Sequence, residues 1–230
     1  MPPRQLVSLD GWLVALDPGT VGRAHSAVPT RHAGVPHESL AGIEQHYARA
    51  GLRPSFRIPQ VPGCEPARSW LCDRGYSPRQ PTLTLVGDVP SLLRLPLGHA
   101  VQVGPQPPEG WSDVFLGPGF DPVDGASRID ILQRGPDNVF AAVRREGRVV
   151  AVGSACFSQG WCGIHGMRTA PAARGSGCAT AILATFGRLA AERGTQRLFL
   201  QVEEANATAR SVYERAGFGT VWCSEYWRRG

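Results

Sequence analysis

The stretch Arg174-Gly175-Ser176-Gly177-Cys178-Ala179 combines residue types that suit one kind of chemistry, the binding of an anion. It stands just ahead of Ile182, Leu183, Phe186, Leu189 and Ala190, which recur at helical spacing. A helix N-terminus leaves its first amide groups unpaired and carries about half a positive charge. A phosphate can approach those amides only where no Cβ intervenes, and two glycines leave that room beside a cationic side chain. The same residues are compatible with a plain flexible turn. A Walker A loop needs a lysine, which the chain lacks, and a dinucleotide fingerprint needs a third glycine that is missing here.

The elements that must position this loop are legible on both sides of it. "NVFAAVRREGRVVAVGSACF" holds two β-rich runs around Glu146-Gly147, a hairpin turn, and "GWCGIHGMRT" gives a third extended run ending before Pro171. The spacing predicts a helix from about Gly177 to Arg193, stopped by Arg193-Gly194. "QRLFLQVEE" alternates Leu198, Leu200 and Val202 against Phe199, Gln201 and Glu203, the period of a strand. Asn206 caps a helix to Ala216, Gly217 ends it, and "FGTVWCSEYW" returns as a strand.

That order closely resembles the GNAT superfamily of N-acetyltransferases. In that family an Arg/Gln-x-x-Gly-x-Gly/Ala loop, here Arg174, Gly175, Ser176, Gly177, Cys178 and Ala179, binds the pyrophosphate of acetyl-coenzyme A. The pattern N-x-x-A-x-x-x-Y-x-x-x-G-F is filled by Asn206, Ala209, Tyr213, Gly217 and Phe218. The motif match covers Trp161 to Trp227, and across residues 101–160 only the order of elements is similar. The resemblance implies that the strand before the loop splays from the next, with the pantetheine arm bonded to backbone at Met167 and Thr169 and touched by Asn206. It implies that Tyr213, a phenol titrating at about 10, gives a proton to the departing thiolate, the alternative being a core tyrosine packed on Ala209 and Ala216. His165 is expected to share strand parity with Met167 and Thr169 and to act as the base, as a histidine does in arylalkylamine-type members, or to be structural. Glu203 and Glu204 either attract a cationic amine and relay its proton through water, or are solvated surface charges.

The first half carries a weak copy of the second. Setting Ala67 on Ala209 aligns "ARSWLCDRGY" with "ARSVYERAGF", and "LAGIEQHYARAGLRPSFRI" mirrors "ILATFGRLAAERGTQRLFL". This copy has no glycine loop, with Cys64 where Asn206 would be and Leu71 where Tyr213 would be, while Leu40, Ile43 and Tyr47 keep an apolar stripe. The resemblance is to tandem members in which one copy has decayed to a structural role. The expected fold is α/β (mixed α+β), with a degenerate GNAT-like domain over residues 1–92 and a catalytic one over 98–230. Each is a mixed, mostly antiparallel twisted sheet flanked by helices, and "VPSLLRLPLGHA", residues 89–100, is the expected linker.

Composition bounds the function. Apolar content of 42% and charged content of 19% suit a soluble globular protein, no apolar run reaches the roughly 20 residues of a membrane span, and the N-terminus lacks a signal-peptide pattern. A cytoplasmic location is expected. The net charge of +5 comes from scattered arginines, so no nucleic-acid footprint is read. Six cysteines without CxxC spacing predict buried reduced thiols and neither a metal site nor a disulfide scaffold. The expected activity is acetyl transfer from acetyl-CoA to a primary amine on a small molecule, releasing coenzyme A, by a monomer or homodimer. A non-catalytic acyl-CoA sensor and a protein or peptide N-acetyltransferase stand as the alternatives.

Overall fold

The computed structural model describes residues 2–230, whose apolar periodicities resolve into strands and helices. In chain order they are β1 (Gln5–Leu9), β2 (Trp12–Leu16), β3 (Ala27–Pro29), α1 (Leu40–Arg49), β4 (Phe56–Pro59), α2 (Glu65–Asp73) and β5 (Ser77–Asp88). There follow α3 (Val89–Leu93), β6 (Val101–Gly104), α4 (Asp113–Leu116), α5 (Pro122–Gln133), β7 (Asn138–Arg145), β8 (Arg148–Ser158) and β9 (Trp161–Thr169). The chain closes with α6 (Cys178–Glu192), β10 (Arg197–Glu203), α7 (Ala207–Arg215) and β11 (Gly219–Arg228). The β3/β4 and β9/β10 pairs run parallel, whereas β1/β2, β2/β3, β4/β11, β6/β7, β7/β8 and β8/β9 run antiparallel. The fold is the mixed, mostly antiparallel α/β class that the sequence predicts.

Two compact units form, and neither is contiguous in sequence. The first takes the residues up to Leu83, Glu203–Ala205 and Trp222–Gly230; the second takes Thr84–Val202 and Asn206–Val221. In the first unit the strand order is β1-β2-β3-β4-β11. Its core is built on Trp12, Leu40, Ile43, Tyr47, Phe56, Ile58 and Leu71, all fully buried. The stripe Leu40, Ile43, Tyr47 is therefore used for burial, as its helical spacing requires.

In the second unit the order is β5-β10-β9-β8-β7-β6. Helix α6 buries Ala181, Ile182, Leu183, Phe186 and Ala190 against it. The hairpin at Glu146-Gly147 has both turn residues at positive φ, 49° and 79°, the conformation that matches the twist of the flanking strands.

The two stretches aligned in the sequence carry the same elements. In the register that sets Ala67 on Ala209, α2 falls on α7 end for end, β4 falls within β10, and β5 corresponds to β11. Yet the strand beside β4 in the first unit is β11, and the strand beside β10 in the second is β5. Each repeat's last strand completes the sheet of the other repeat.

Residues 89–100 are not a linker. Asp88 caps α3 by accepting from the Ser91 amide at 2.8 Å, and Val89 and Leu92 are buried within the second unit. Besides α3, two further helices escape the sequence reading, α4 and α5. The second had a local signal, because Asp121 accepts from the Val123 amide at 2.8 Å and Pro122 occupies the first helical position. The cysteines are all unpaired thiols; Cys64, Cys162 and Cys178 are buried as expected, whereas Cys156 and Cys223 are only partly buried and Cys72, on the outer face of α2, is exposed. Among the described residues no helix is long and apolar enough to cross a membrane.

Candidate active site

The loop between β9 and α6 is held by its own backbone. Ala173 and Arg174 donate their amides to the carbonyls of Ala170 and Pro171, and the Ser176 hydroxyl donates to the Ala173 carbonyl at 2.6 Å. Gly175 and Gly177 sit at φ +74° and +84°, a region in which a side chain is strained, so the sharp turn into the helix depends on glycine. A Cβ on Gly175 would meet nothing within 4 Å, and one on Gly177 would meet only His99 Nε2 at 3.9 Å. The space above the loop is open. No side chain caps α6, so its first amide groups remain for a ligand. Arg174 is exposed beside them, Cys178 is buried under the first turn, and Ala179 adds no bulk.

His99, which the sequence reading passes over, reaches this loop from the segment before β6. Its Nε2 donates to the Ser176 carbonyl at 2.7 Å. Arg145 Nη2 lies 3.4 Å from the same nitrogen, which already gives its proton to the carbonyl. No local sequence signal joins positions 99, 145 and 176, which are brought together by tertiary structure alone.

The parallel ladder between β9 and β10 is registered from Trp161/Arg197 to Ile164/Leu200 and stops there, although β9 runs on to Thr169. From His165 onward the edge of β9 has no pairing with β10. This is the divergence of strands that the resemblance implied.

At the same point β9 is bulged against β8. Ser154 is opposite His165, but Val152 is opposite Arg168, so Gly166 and Met167 share one partner position. Gly166 takes φ +60°. The bulge reverses the expected parity. Met167 turns toward α6, its Sδ lying 2.5 Å from where a Cβ of Gly153 would stand, next to Ile182 and Phe186. Thr169, opposite Ala151, shares that face. His165 faces the other way, edge-on to Phe199 with ring centroids 6.0 Å apart. The expectation that His165 shares a face with Met167 and Thr169 is therefore corrected. A glycine inside an alternating run was the available signal.

Arg168, also missed by the sequence reading, packs on the α4–α5 side. Its guanidinium lies over the rings of Phe115 and Phe120 at 4.8 and 4.1 Å and pairs with Asp124 at 3.2 Å, which Arg128 also holds at 2.6 Å. Burial pushes the Arg168 guanidinium below its ordinary range, and the neighbouring Arg128 adds to that while Asp124 opposes it. This cluster ties α5 to the bulged strand.

Asn206 is exposed and caps α7, its Oδ1 accepting from the Ala209 amide at 3.1 Å. Tyr213, two turns later, is buried and meets Phe218 edge-on at 6.2 Å. Glu203 groups with the first unit, where its Oε1 accepts from Gln80 at 2.6 Å. The backbone amide of Glu204 donates to Pro81 in the same unit.

Comparison with known proteins gives this geometry a family. Residues 1–227 match the model described as probable histone acetyltransferase Rv0428c C-terminal. An N-acetyltransferase of Bacillus subtilis, YobR, is 28% identical over 118 residues, which are 50% of this chain and 48% of that protein. The chain thus matches about half the length of this curated relative. A GCN5-related N-acetyltransferase from Kribbella flavida shares the fold at a TM-score of 0.73 and 19% identity, over 99% of this chain and 90% of that one. A tandem GNAT protein from the clavulanic acid biosynthesis pathway superposes at 0.64 with 11% identity, over 92% and 75% of the two chains. With the family model spanning nearly every residue, the chain belongs to the Rv0428c C-terminal family of GCN5-related N-acetyltransferases, which are acyltransferases.

Proposed function

We propose that the chain transfers an acetyl group from acetyl-CoA to a primary amine on a small molecule, as a cytoplasmic monomer or homodimer. The observation that carries this reading is the loop 174–178, where two left-handed glycines and an uncapped helix terminus leave open space for a pyrophosphate. The cradle fits the group, since Cβ atoms at 175 and 177 would stand in that space. The ligand supplies an activated thioester; the protein has to bind it, orient it and manage two protons.

In this reading the amides of Cys178, Ala179 and Thr180 and the Arg174 guanidinium hold the phosphates. The edge of β9 at Met167 and Thr169, left without a β10 partner, holds the pantetheine arm, and the Asn206 amide touches it. Tyr213 donates the proton to sulfur as thiolate forms, and its burial beside Phe218 fixes the ring. His165, at the first position past the last β9/β10 pair, takes the proton of the amine. The first repeat, with Cys64 and Leu71 in place of the asparagine and tyrosine, binds no coenzyme and serves to complete the fold.

Release of free thiol from acetyl-CoA across a panel of small amines tests the reading. Turnover with one amine class supports it. Tight acetyl-CoA binding with no thiol release from any amine or peptide would instead make the chain a sensor.

A further inference from the structure

Beside the glycine loop lies a second feature that the acetyl-transfer reading does not use. It is a groove of about 520 Å3, within the size range of small-molecule sites. One wall is Ala170, Ala172 and Ala173, the run that leads directly into Arg174; the other is the β7–β8 hairpin, with Arg145, Glu146 and Arg148. The alanine wall offers no polar side chain, so recognition in the groove falls to the two guanidinium groups, against a single carboxylate.

Some arginines of the second unit have acidic partners and others do not. Arg128, Arg134, Arg168 and Arg210 are each paired with an aspartate or glutamate. Neither Arg145 nor Arg148 has a carboxylate partner among the described residues; Arg145 has only the 3.4 Å approach to His99. They are also directly opposite each other across the two-residue turn, as Cα partners in the β7/β8 register. Like charges in that position destabilise a hairpin, and an anion between them removes the conflict. Through His99 the groove joins the loop, since Arg145 stands one imidazole away from the Ser176 carbonyl. An anion in the groove and an anion at the loop are therefore neighbours.

We infer that this groove holds the 3′-phosphate carried by the ribose of coenzyme A, and that Arg145 and Arg148 make the chain selective for coenzymes bearing it. The inference rests on the acetyl-CoA reading of the loop. Guanidinium groups bind phosphate through two parallel N–H bonds, which a hydrated hydroxyl at the same ribose position cannot replace.

The test is calorimetric titration of the full chain with acetyl-CoA and with its 3′-dephospho analogue, on wild type, Arg148→Gln and the Arg145→Gln/Arg148→Gln double variant. Wild type should prefer acetyl-CoA by about ten- to a hundredfold, the range of charge-assisted hydrogen bonds. Arg148→Gln, which leaves the Arg145–His99 approach in place, should lose part of that preference. The double variant should bind both compounds alike, at the affinity of wild type for the dephospho form, with a ligand-free melting temperature no lower than that of wild type, since the like-charge pair across the turn is gone. Equal binding of both compounds by wild type, or selectivity that survives in the double variant, overturns the inference while leaving the acetyl-CoA reading intact. Failure of wild type to bind either compound overturns both.

Discussion

His165 and Met167 point to opposite faces of β9 although they stand two positions apart, because Gly166 inserts a bulge between them. The bulge occurs where pairing with β10 ends, so one short segment both frees a strand edge and sorts its side chains. Gly166→Ala would place a Cβ at φ +60° and 2.7 Å from Leu132 Cδ1. Left-handed strain and local overpacking together should cost about 2–4 kcal/mol. Urea denaturation measures this, and an unchanged midpoint would mean that the strand tolerates a side chain there.

Gly177→Ala separates binding from folding. The methyl meets only His99 Nε2, at 3.9 Å, so its stability cost is the left-handed strain of about 1–2 kcal/mol. It stands in the proposed phosphate space, and the Kd for acetyl-CoA should rise more than the melting temperature predicts. A folded variant with wild-type affinity removes the loop from the binding site.

Tyr213→Phe keeps the edge-on contact with Phe218 and deletes only the hydroxyl. As a general acid Tyr213 should contribute about 100- to 10,000-fold to kcat, with little change in Kd for acetyl-CoA. Steady-state kinetics beside calorimetry reads both, and a wild-type kcat returns Tyr213 to the core.

A fragment beginning at Gly98 should not fold. It lacks Thr84–Asp88 of β5, the neighbour of β10, together with the buried Val89 and Leu92 of α3. Gln201 also loses the Thr84 hydroxyl that accepts its amide at 3.0 Å. Circular dichroism and size-exclusion chromatography of the refolded fragment decide this, and a soluble, cooperatively melting 98–230 would show that the exchanged strand is dispensable.

Burial pushes the Cys162 thiol up to about 12, with Cys156 adding to the shift and Arg193 opposing it. Since the unfolded thiol titrates at about 8.5, both states hold the proton below that value and the contribution to stability is complete there. Above it the unfolded chain releases a proton that the folded chain keeps, so this contribution is lost as pH rises toward 12. Iodoacetamide at pH 8 should label exposed Cys72 rapidly and leave Cys162 unmodified in the folded chain. Mass spectrometry reads both positions, and equal labelling would contradict the burial of Cys162.

The sequence by itself determined the elements around the site. Alternation in 197–203, helical spacing from Ile182 to Ala190, the Glu146-Gly147 turn and the Asn206 cap are local patterns, and local patterns encode element type through periods of 2 and 3.6. The glycine loop was legible for the same reason, since its chemistry lies in consecutive residues. Tertiary structure alone decided which strands pair. β5 and β11 are alternating runs at equivalent places in two repeats, and nothing within either says that each joins the other's sheet. It also decided the face of His165, because one inserted residue shifts every later side chain by half a period. The meeting of His99, Arg145 and Ser176 belongs to the same class: residues far apart in sequence are joined by the packing of the strands that carry them, and no local spacing records it.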